Sequence, residues 1–180
     1  LTDGYIGNEI GILAAVHERA ASGMGQKIDI SMLDCQVAIL ENAVARYLTS
    51  GEVPSRIGNR HPSISPFSAF ATSDGYVIVA AGNDSLWARL CQVVGQPDLA
   101  RDARFVTNGE RTANWAQLEP LLAAAFAGRC TAIWIADLEA AGIPCGPIND
   151  VAQVMADPQI KARRMVQVVD HPVAGPVSVT

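Results

Sequence analysis

Two short runs of the sequence combine glycine with polar or charged side chains that can bind a carboxylate or a carbonyl oxygen. The first, RIGNRH, occupies residues 56–61, and the second, GND, occupies residues 82–84. Glycine lets backbone N–H groups approach a bound oxygen, and Arg56 or Arg60 can pair with a carboxylate through two parallel hydrogen bonds. Asn83 is predicted to cap a helix, whose N-terminus favours negative charge. These runs supply the candidate binding residues.

The first run lies in a segment without periodic hydrophobicity, residues 49–66, which we interpret as a linker. A loop of this length more often carries function than simple connection. His61 has two interpretations, as a residue of a binding cleft or as a loop histidine that hydrogen-bonds the backbone. Asn83 has two as well, since a plain helix cap explains it without any ligand.

The first fifty residues predict two helices around a short strand. Apolar residues recur at helical spacing after Asp3, which is a candidate N-cap. Residues 27–30, KIDI, alternate as a strand does. Ser31 and Asp34 then form the S-x-x-D signature of a helix start, and this second helix is predicted to run to about residue 48.

Residues 67–165 predict one small α/β domain, and its hairpin implies an antiparallel sheet. Two apolar runs flank Asp74 and Gly75, a pair suited to a two-residue hairpin turn. The second run, residues 76–81, is apolar throughout, so both of its faces are expected to be covered. We expect the last residues, 166–180, to form a crossing towards a neighbouring domain.

Capping signals predict the helices of this domain. Asn83 and Gly95 bound one helix, and Thr107 with Glu110 opens another that runs to about residue 127 with a kink at Pro120. Further caps are predicted at Thr131, Asn149 and Asp157, and two strands at residues 165–169 and 176–180.

Composition limits the classes of partner. The formal net charge is −5, and the basic residues are scattered, which disfavours nucleic-acid binding. The longest apolar runs are too short to cross a bilayer. Four cysteines, Cys35, Cys91, Cys130 and Cys145, form no CxxC motif, so we expect buried, reduced thiols and no metal site. This cysteine usage favours a cytoplasmic location, or a mitochondrial matrix one in a eukaryote.

Five stretches in register resemble a known family. Residues 19–34, RAASGMGQKIDISMLD, resemble the R-x-x-[TS]-G-x-G-Q-x-[VI]-D-[VI]-S-[ML]-x-[DE] run of class III CoA-transferases, the CaiB/BaiF group. This group includes formyl-CoA transferase and carnitine CoA-transferase. The other four stretches are GNRHP at 58–62, DGYV at 74–77, Asn108 with Arg111, and GIPCGPIN at 142–149.

The resemblance implies an architecture larger than this chain. Family members are similar in having a Rossmann-like large domain built from both ends of the chain, an inserted small α/β domain and an interlocked homodimer. The chain is then expected to be an internal fragment, with residues 1–50 in the large domain, 51–66 the linker and 67–165 the small domain.

The resemblance also implies the chemistry. Coenzyme A and acyl-CoA are the expected substrates, together with a carboxylic acid, and no metal is expected. The family's aspartyl nucleophile is expected before residue 1, so no catalytic residue is assigned here. Gly58, Asn59 and His61 are expected to contact the CoA thioester, and Arg56, Arg60 and Asn83 the acid. The absence of a glycine-rich linker loop favours an acid larger than oxalate.

Two other functions stay open. Racemases of 2-methylacyl-CoA share this fold and carry an acidic residue near the turn at 82–85, where this chain has Asp84. The chain could also act only as an assembly domain without catalysis. Apolar stripes on its first two helices would then favour self-association.

Overall fold

The computed structural model describes the backbone of residues 2–180 and the side chains of residues 9–180. In chain order the elements are α1 (Thr2–Ser22), α2 (Met32–Ile39), α3 (Glu41–Ser50), β1 (Phe67–Ala71), β2 (Tyr76–Ala80), α4 (Asp84–Val93), a 3₁₀ helix (Pro97–Arg101), α5 (Asn108–Ala113), α6 (Trp115–Phe126), α7 (Thr131–Ala140), β3 (Cys145–Pro147), α8 (Val151–Ala156), α9 (Pro158–Ala162), β4 (Gln167–His171) and β5 (Gly175–Val179). The chain divides into two compact units, Leu1–Arg56 and Ile57–Thr180.

The first unit is helical. Ser31 caps α2 by accepting a hydrogen bond from the N–H of Asp34, as its sequence predicts. The predicted long second helix is wrong in one respect, because it breaks at Leu40 into α2 and α3. The cap predicted at Asp3 concerns a side chain that lies outside the described residues.

The strand predicted at residues 27–30 is not formed. Its alternation instead places Ile28 and Ile30 against α1 at Gly11, where an added Cβ would lie 3.2 and 3.3 Å from their side chains. A ladder needs a neighbouring strand as well as an alternating pattern. Within the described part of the first unit no strand is assigned to supply one.

The second unit is organised around a three-stranded antiparallel sheet in the order β1-β2-β3. In the β1–β2 hairpin, Phe67 pairs with Ala80 and Ala71 with Tyr76. Helices α4, α6 and α7 enclose a core that includes Trp87, Leu90, Leu118, Leu122 and Phe126. These findings confirm a mixed α/β fold with an antiparallel sheet.

The prediction that both faces of residues 76–81 are covered is wrong. Val77, Val79 and Ala81 are fully buried, whereas Tyr76 is 54% exposed and Ile78 is 37% exposed. Successive strand side chains point to opposite faces. The buried side chains belong to the core that the helices enclose on one face of the hairpin.

The hairpin turn also differs from its prediction. Thr72 and Gly75 are joined by a backbone hydrogen bond of 2.9 Å, and Gly75 is not among the glycines with positive φ. The Asp74 carboxylate instead accepts hydrogen bonds from the N–H and hydroxyl of Thr131. Asp74 therefore accepts the hydrogen bonds of the donor groups at the start of α7, where the sequence predicted Thr131 as the capping residue.

Two further boundaries are corrected. The helix after Thr107 breaks at Asn114 rather than at Pro120, because the Asn114 amide donates to the carbonyls of Arg104 and Glu110. Asp150, rather than Asn149, caps α8 in a reciprocal box with Gln153. Strands β4 and β5 form a separate antiparallel pair close to the predicted limits.

The cysteines are free thiols, but only Cys91 is buried; Cys35, Cys130 and Cys145 are partly exposed.

In the described residues, no single helix is long and apolar enough to span a membrane, although the bent pair α6 and α7 is together long and apolar enough. The same residues contain no group of three or more His, Cys, Asp or Glu side chains able to hold a metal.

Candidate functional site

The short helix α5 presents a buried arginine to three other parts of the second unit. Thr107 accepts a hydrogen bond from the N–H of Glu110 and so fixes the start of α5. Arg111, one turn later, is 0% exposed, and its guanidinium lies 5.3 Å from the centre of the Trp87 ring. A buried charge is tolerated only when it is fully hydrogen-bonded or paired.

Arg111 satisfies that condition completely. Its Nε donates to the carbonyl of Ser65 at 2.6 Å, and its Nη1 donates to the carbonyls of Phe105 and Val106. Its Nη2 donates to the carbonyl of Gly82 at 2.9 Å and to Oδ1 of Asp84 at 3.0 Å. The guanidinium is therefore fully occupied by the protein.

Burial sets the electrostatics around Arg111. Loss of solvent lowers the pKa of the Arg111 guanidinium, and the Asp84 carboxylate opposes that shift. Burial also raises the pKa of the Cys91 thiol to about 12, although the charge of Arg111 lowers it somewhat. Cys91 is consequently an unreactive neutral thiol at physiological pH.

Asn108 fastens the same linker segment from the other end of α5. Its Oδ1 accepts from the N–H of Ser65 at 2.9 Å, and its Nδ2 donates to the carbonyl of Ser63 at 2.8 Å. The hydroxyl of Thr112 lies 3.1 Å from that of Ser65. Residues 63–65 are thus fixed within the second unit by side chains of one short helix.

An open cleft of about 600 Å³ lies where this fastened segment meets the turn before α4. Its lining consists of Ile64, Phe67, Ala80, Gly82, Asn83, Asp84, Leu86 and Asn108. Among these lining residues Asp84 carries the one formal charge. A Cβ added to Gly82 would overlap the Cγ2 methyl of Ile64, so a larger residue at this edge requires the Ile64 side chain to move.

The structure brings Asn83 to this cleft. Its Oδ1 accepts from the N–H of Leu86 at 2.8 Å, which makes it the predicted cap of α4, while the residue remains exposed beside Asp84. The interpretation of Asn83 as a helix cap is confirmed, and its contact with a ligand stays a prediction.

His61 lies next to the cleft lining. Its Nδ1 accepts from the N–H groups of Ser63 and Ile64, and its ring stacks on Phe67 with 5.6 Å between centres. The ring thus shapes the backbone turn that carries Ile64.

The other predicted residues do not line this cleft. Arg60 lies over the Trp115 ring at 5.6 Å. Gly58 has φ +66° with open space around it, and Asn59 is exposed. Arg56 belongs to the first unit.

The sequence analysis did not predict that Arg111 and Asn108 anchor residues 63–65, although the pair was one of the stretches that resemble the family. Their partners lie far away in sequence: Ser65 is 46 residues from Arg111, and Gly82 is 29 residues from it. Arg111 is the one buried residue of α5, and no local pattern in the sequence marks it as buried. Chemically, the cleft offers apolar contact, two side-chain amides and one carboxylate that is already paired.

Comparison with known proteins gives a consistent result. The sequence model of CoA-transferase family III matches residues 6–180. An acetyl-CoA:oxalate CoA-transferase of Acetobacter aceti is 41% identical over 87% of this chain and 40% of its own length. A succinyl-CoA:glutarate CoA-transferase of Mus musculus is 38% identical over 93% of this chain and 38% of its own length.

A solved structure agrees. The CAIB/BAIF family protein from Brucella suis has a TM-score of 0.78 and 40% sequence identity, and the match covers 93% of this chain and 47% of that one. The chain therefore spans less than half the length of the relatives that it matches.

Proposed function

Because this chain belongs to CoA-transferase family III, we propose that it is part of a longer enzyme that transfers coenzyme A from an acyl-CoA to a carboxylic acid. The observation that carries the proposal is the match to transferases of named substrates along most of this chain. The share of their length that it covers supports the view that the remainder of the enzyme lies in other sequence.

We infer the class of acid from the relatives. Their names specify oxalate, glutarate and mesaconate, which are all dicarboxylic acids, and the donors are acetyl-CoA or succinyl-CoA. The acid is therefore proposed to be a dicarboxylate. The relative named for oxalate weakens the sequence argument for a larger acid, so oxalate belongs in the substrate panel.

The proposed mechanism uses a carboxylate nucleophile outside this chain. The carboxylate attacks the acyl-CoA carbonyl, the C–S bond breaks, and a mixed anhydride and CoA thiolate form. The thiolate attacks the enzyme carbonyl of the anhydride, which releases the first acid and leaves an enzyme thioester. The second acid attacks that thioester, which releases CoA thiolate and forms a second mixed anhydride. The thiolate then attacks the carbonyl of the second acid in this anhydride, which gives the new acyl-CoA and regenerates the enzyme carboxylate.

The part proposed for this chain is to bind substrate. Asn83 and the cleft beside it would contact the acyl group, and His61 would hold the turn that carries Ile64. Gly58 and Asn59 are proposed to approach the CoA thioester, and Arg56 and Arg60 to pair with the free carboxylate of the acid. The assignment of Asn83 is consistent with its place in the lining of the described cleft, where the one acidic side chain, Asp84, is paired with Arg111.

The racemase alternative depended on Asp84. Its Oδ1 atom accepts a hydrogen bond from the buried guanidinium of Arg111 at 3.0 Å, so the carboxylate is engaged in anchoring the turn before α4. The geometry therefore favours transfer.

The test compares the complete protein encoded around this chain with the 180-residue chain alone. Each is incubated with succinyl-CoA and oxalate, glutarate or mesaconate, and CoA esters are separated by chromatography. We expect exchange with the complete protein and none with the chain. The same samples in D₂O with a 2-methylacyl-CoA report racemisation, since deuterium incorporation at C2 without CoA exchange would establish the racemase instead.

A further inference from the structure

We propose that Arg111 is a positioning residue that neutralises Asp84 and holds the linker segment 63–66 as one wall of the cleft, so that a dicarboxylate is accepted there. This inference rests on the proposed function, since it concerns how the same cleft receives its acid. Arg111 itself touches no substrate, because its N–H groups are occupied by the carbonyls and carboxylate described above.

The first part of the argument concerns geometry. Arg111 joins the carbonyl of Ser65, in the linker, to the carbonyl of Gly82, in the turn before α4. Ile64, the neighbour of Ser65, lines the cleft together with Gly82, and its side chain packs against Gly82. Arginine suits this task because its planar guanidinium places five donors in fixed directions, whereas a lysine ammonium offers three donors around one point.

The second part concerns charge. Asp84 lines the cleft and its side chain is 61% exposed, whereas the side chain of Arg111 is 0% exposed. A free carboxylate at this position would repel an approaching dianion. The Arg111 guanidinium, 3.0 Å from Oδ1 of Asp84, offsets that repulsion from the buried side of the wall. Removal of the Arg111 charge should therefore weaken dicarboxylate binding, and removal of the Asp84 charge should strengthen it.

The experiment uses the complete enzyme and the variants Arg111→Lys, Arg111→Met and Asp84→Asn. Arg129→Met is the matched control, because Arg129 also pairs with an aspartate, Asp137, at 2.7 Å and lies over a tryptophan ring, but outside the cleft lining. Steady-state kinetics give KM and kcat for a dicarboxylate and for a monocarboxylate of similar size.

We expect Arg111→Met to raise KM for the dicarboxylate by about three- to tenfold through the unpaired Asp84, with kcat changed less. Asp84→Asn should lower that KM, and the monocarboxylate should respond less to both changes. Arg111→Lys should fall between Met and wild type, and Arg129→Met should leave both KM values unchanged. A purely structural function of the pair would move both variants in the same direction for both acids, and that result would overturn the proposal.

A second measurement is independent of transferase activity. Hydrogen–deuterium exchange of the peptide containing residues 61–66 should become at least about tenfold faster in Arg111→Lys, while α7 keeps its protection. If Arg111→Met fails to fold, the kinetics of Asp84→Asn and the hydrogen–deuterium exchange of Arg111→Lys still test the proposal. Lack of activity in the wild-type complete enzyme would refute the proposed function, whereas unchanged exchange at residues 61–66 would refute positioning by Arg111.

Discussion

The contact between Gly82 and Ile64 provides a sharp test of how the cleft is built. In Gly82→Ala, the new Cβ would lie 3.5 Å from Cβ of Ile64, which is an ordinary contact, but it would overlap the Cγ2 methyl of the same side chain. The φ of Gly82 is not in the left-handed region, so the conflict is steric rather than conformational. Overpacking of this kind costs about 1–3 kcal/mol of unfolding free energy.

The assay is thermal unfolding followed by circular dichroism, with urea unfolding to confirm the free energy. For a chain of this size we expect a fall in Tm of roughly 2–12 °C. Gly128→Ala is the control, because its nearest neighbour is a backbone oxygen at an ordinary 3.7 Å. It should change the stability by less than about 0.5 kcal/mol.

A double-mutant cycle identifies the cause. Ile64→Ala removes the overlapping methyl and leaves the Cβ at a normal distance, so Gly82→Ala should cost little in the Ile64→Ala background. If Gly82→Ala lowers the unfolding free energy equally in the wild-type and Ile64→Ala backgrounds, the overlap with Ile64 is not the cause of the destabilisation.

Three further predictions concern stability. Leu122→Ala removes a fully buried core side chain and should lower the unfolding free energy by about 2–5 kcal/mol in urea titrations. Hydrogen bonds from Thr131 hold the pKa of Asp74 below its usual value. Asp74 therefore stabilises the fold above pH 3.8, and this contribution is lost as the pH falls through the pKa of the folded state. In Asp74→Asn, the unfolding free energy should consequently fall less steeply with decreasing pH in this acid range. The raised pKa of Cys91 means that stability declines between about pH 9 and pH 12 as the unfolded thiol ionises, and Cys91→Ala should reduce this decline in unfolding titrations.

The features predicted correctly from the sequence depend on neighbouring residues. Asn83, Asp157 and Ser31 cap helices because their side chains reach N–H groups two or three residues ahead. The β1–β2 hairpin formed where two apolar runs flank a short polar stretch. Such local chemistry can be read without knowledge of the rest of the fold.

The errors arose where distant residues decide the outcome. The N–H of Thr131 is satisfied by Asp74, which is 57 residues away. Tyr76 and Ile78 are exposed because the enclosing helices bury the side chains of only one face of their strand, which an apolar run cannot reveal. In the site, Asn83 was identified because it is a local cap, whereas the function of Arg111 depends on carbonyls from three separate segments.

The most direct test of the central claim is to locate the enzyme thioester. The complete protein is incubated with succinyl-CoA and treated with borohydride, which reduces an aspartyl thioester to the corresponding alcohol, and peptides are then mapped by mass spectrometry. We expect the modified aspartate to lie outside these 180 residues. Modification of Asp84, or of any other acidic residue of this chain, would contradict the account.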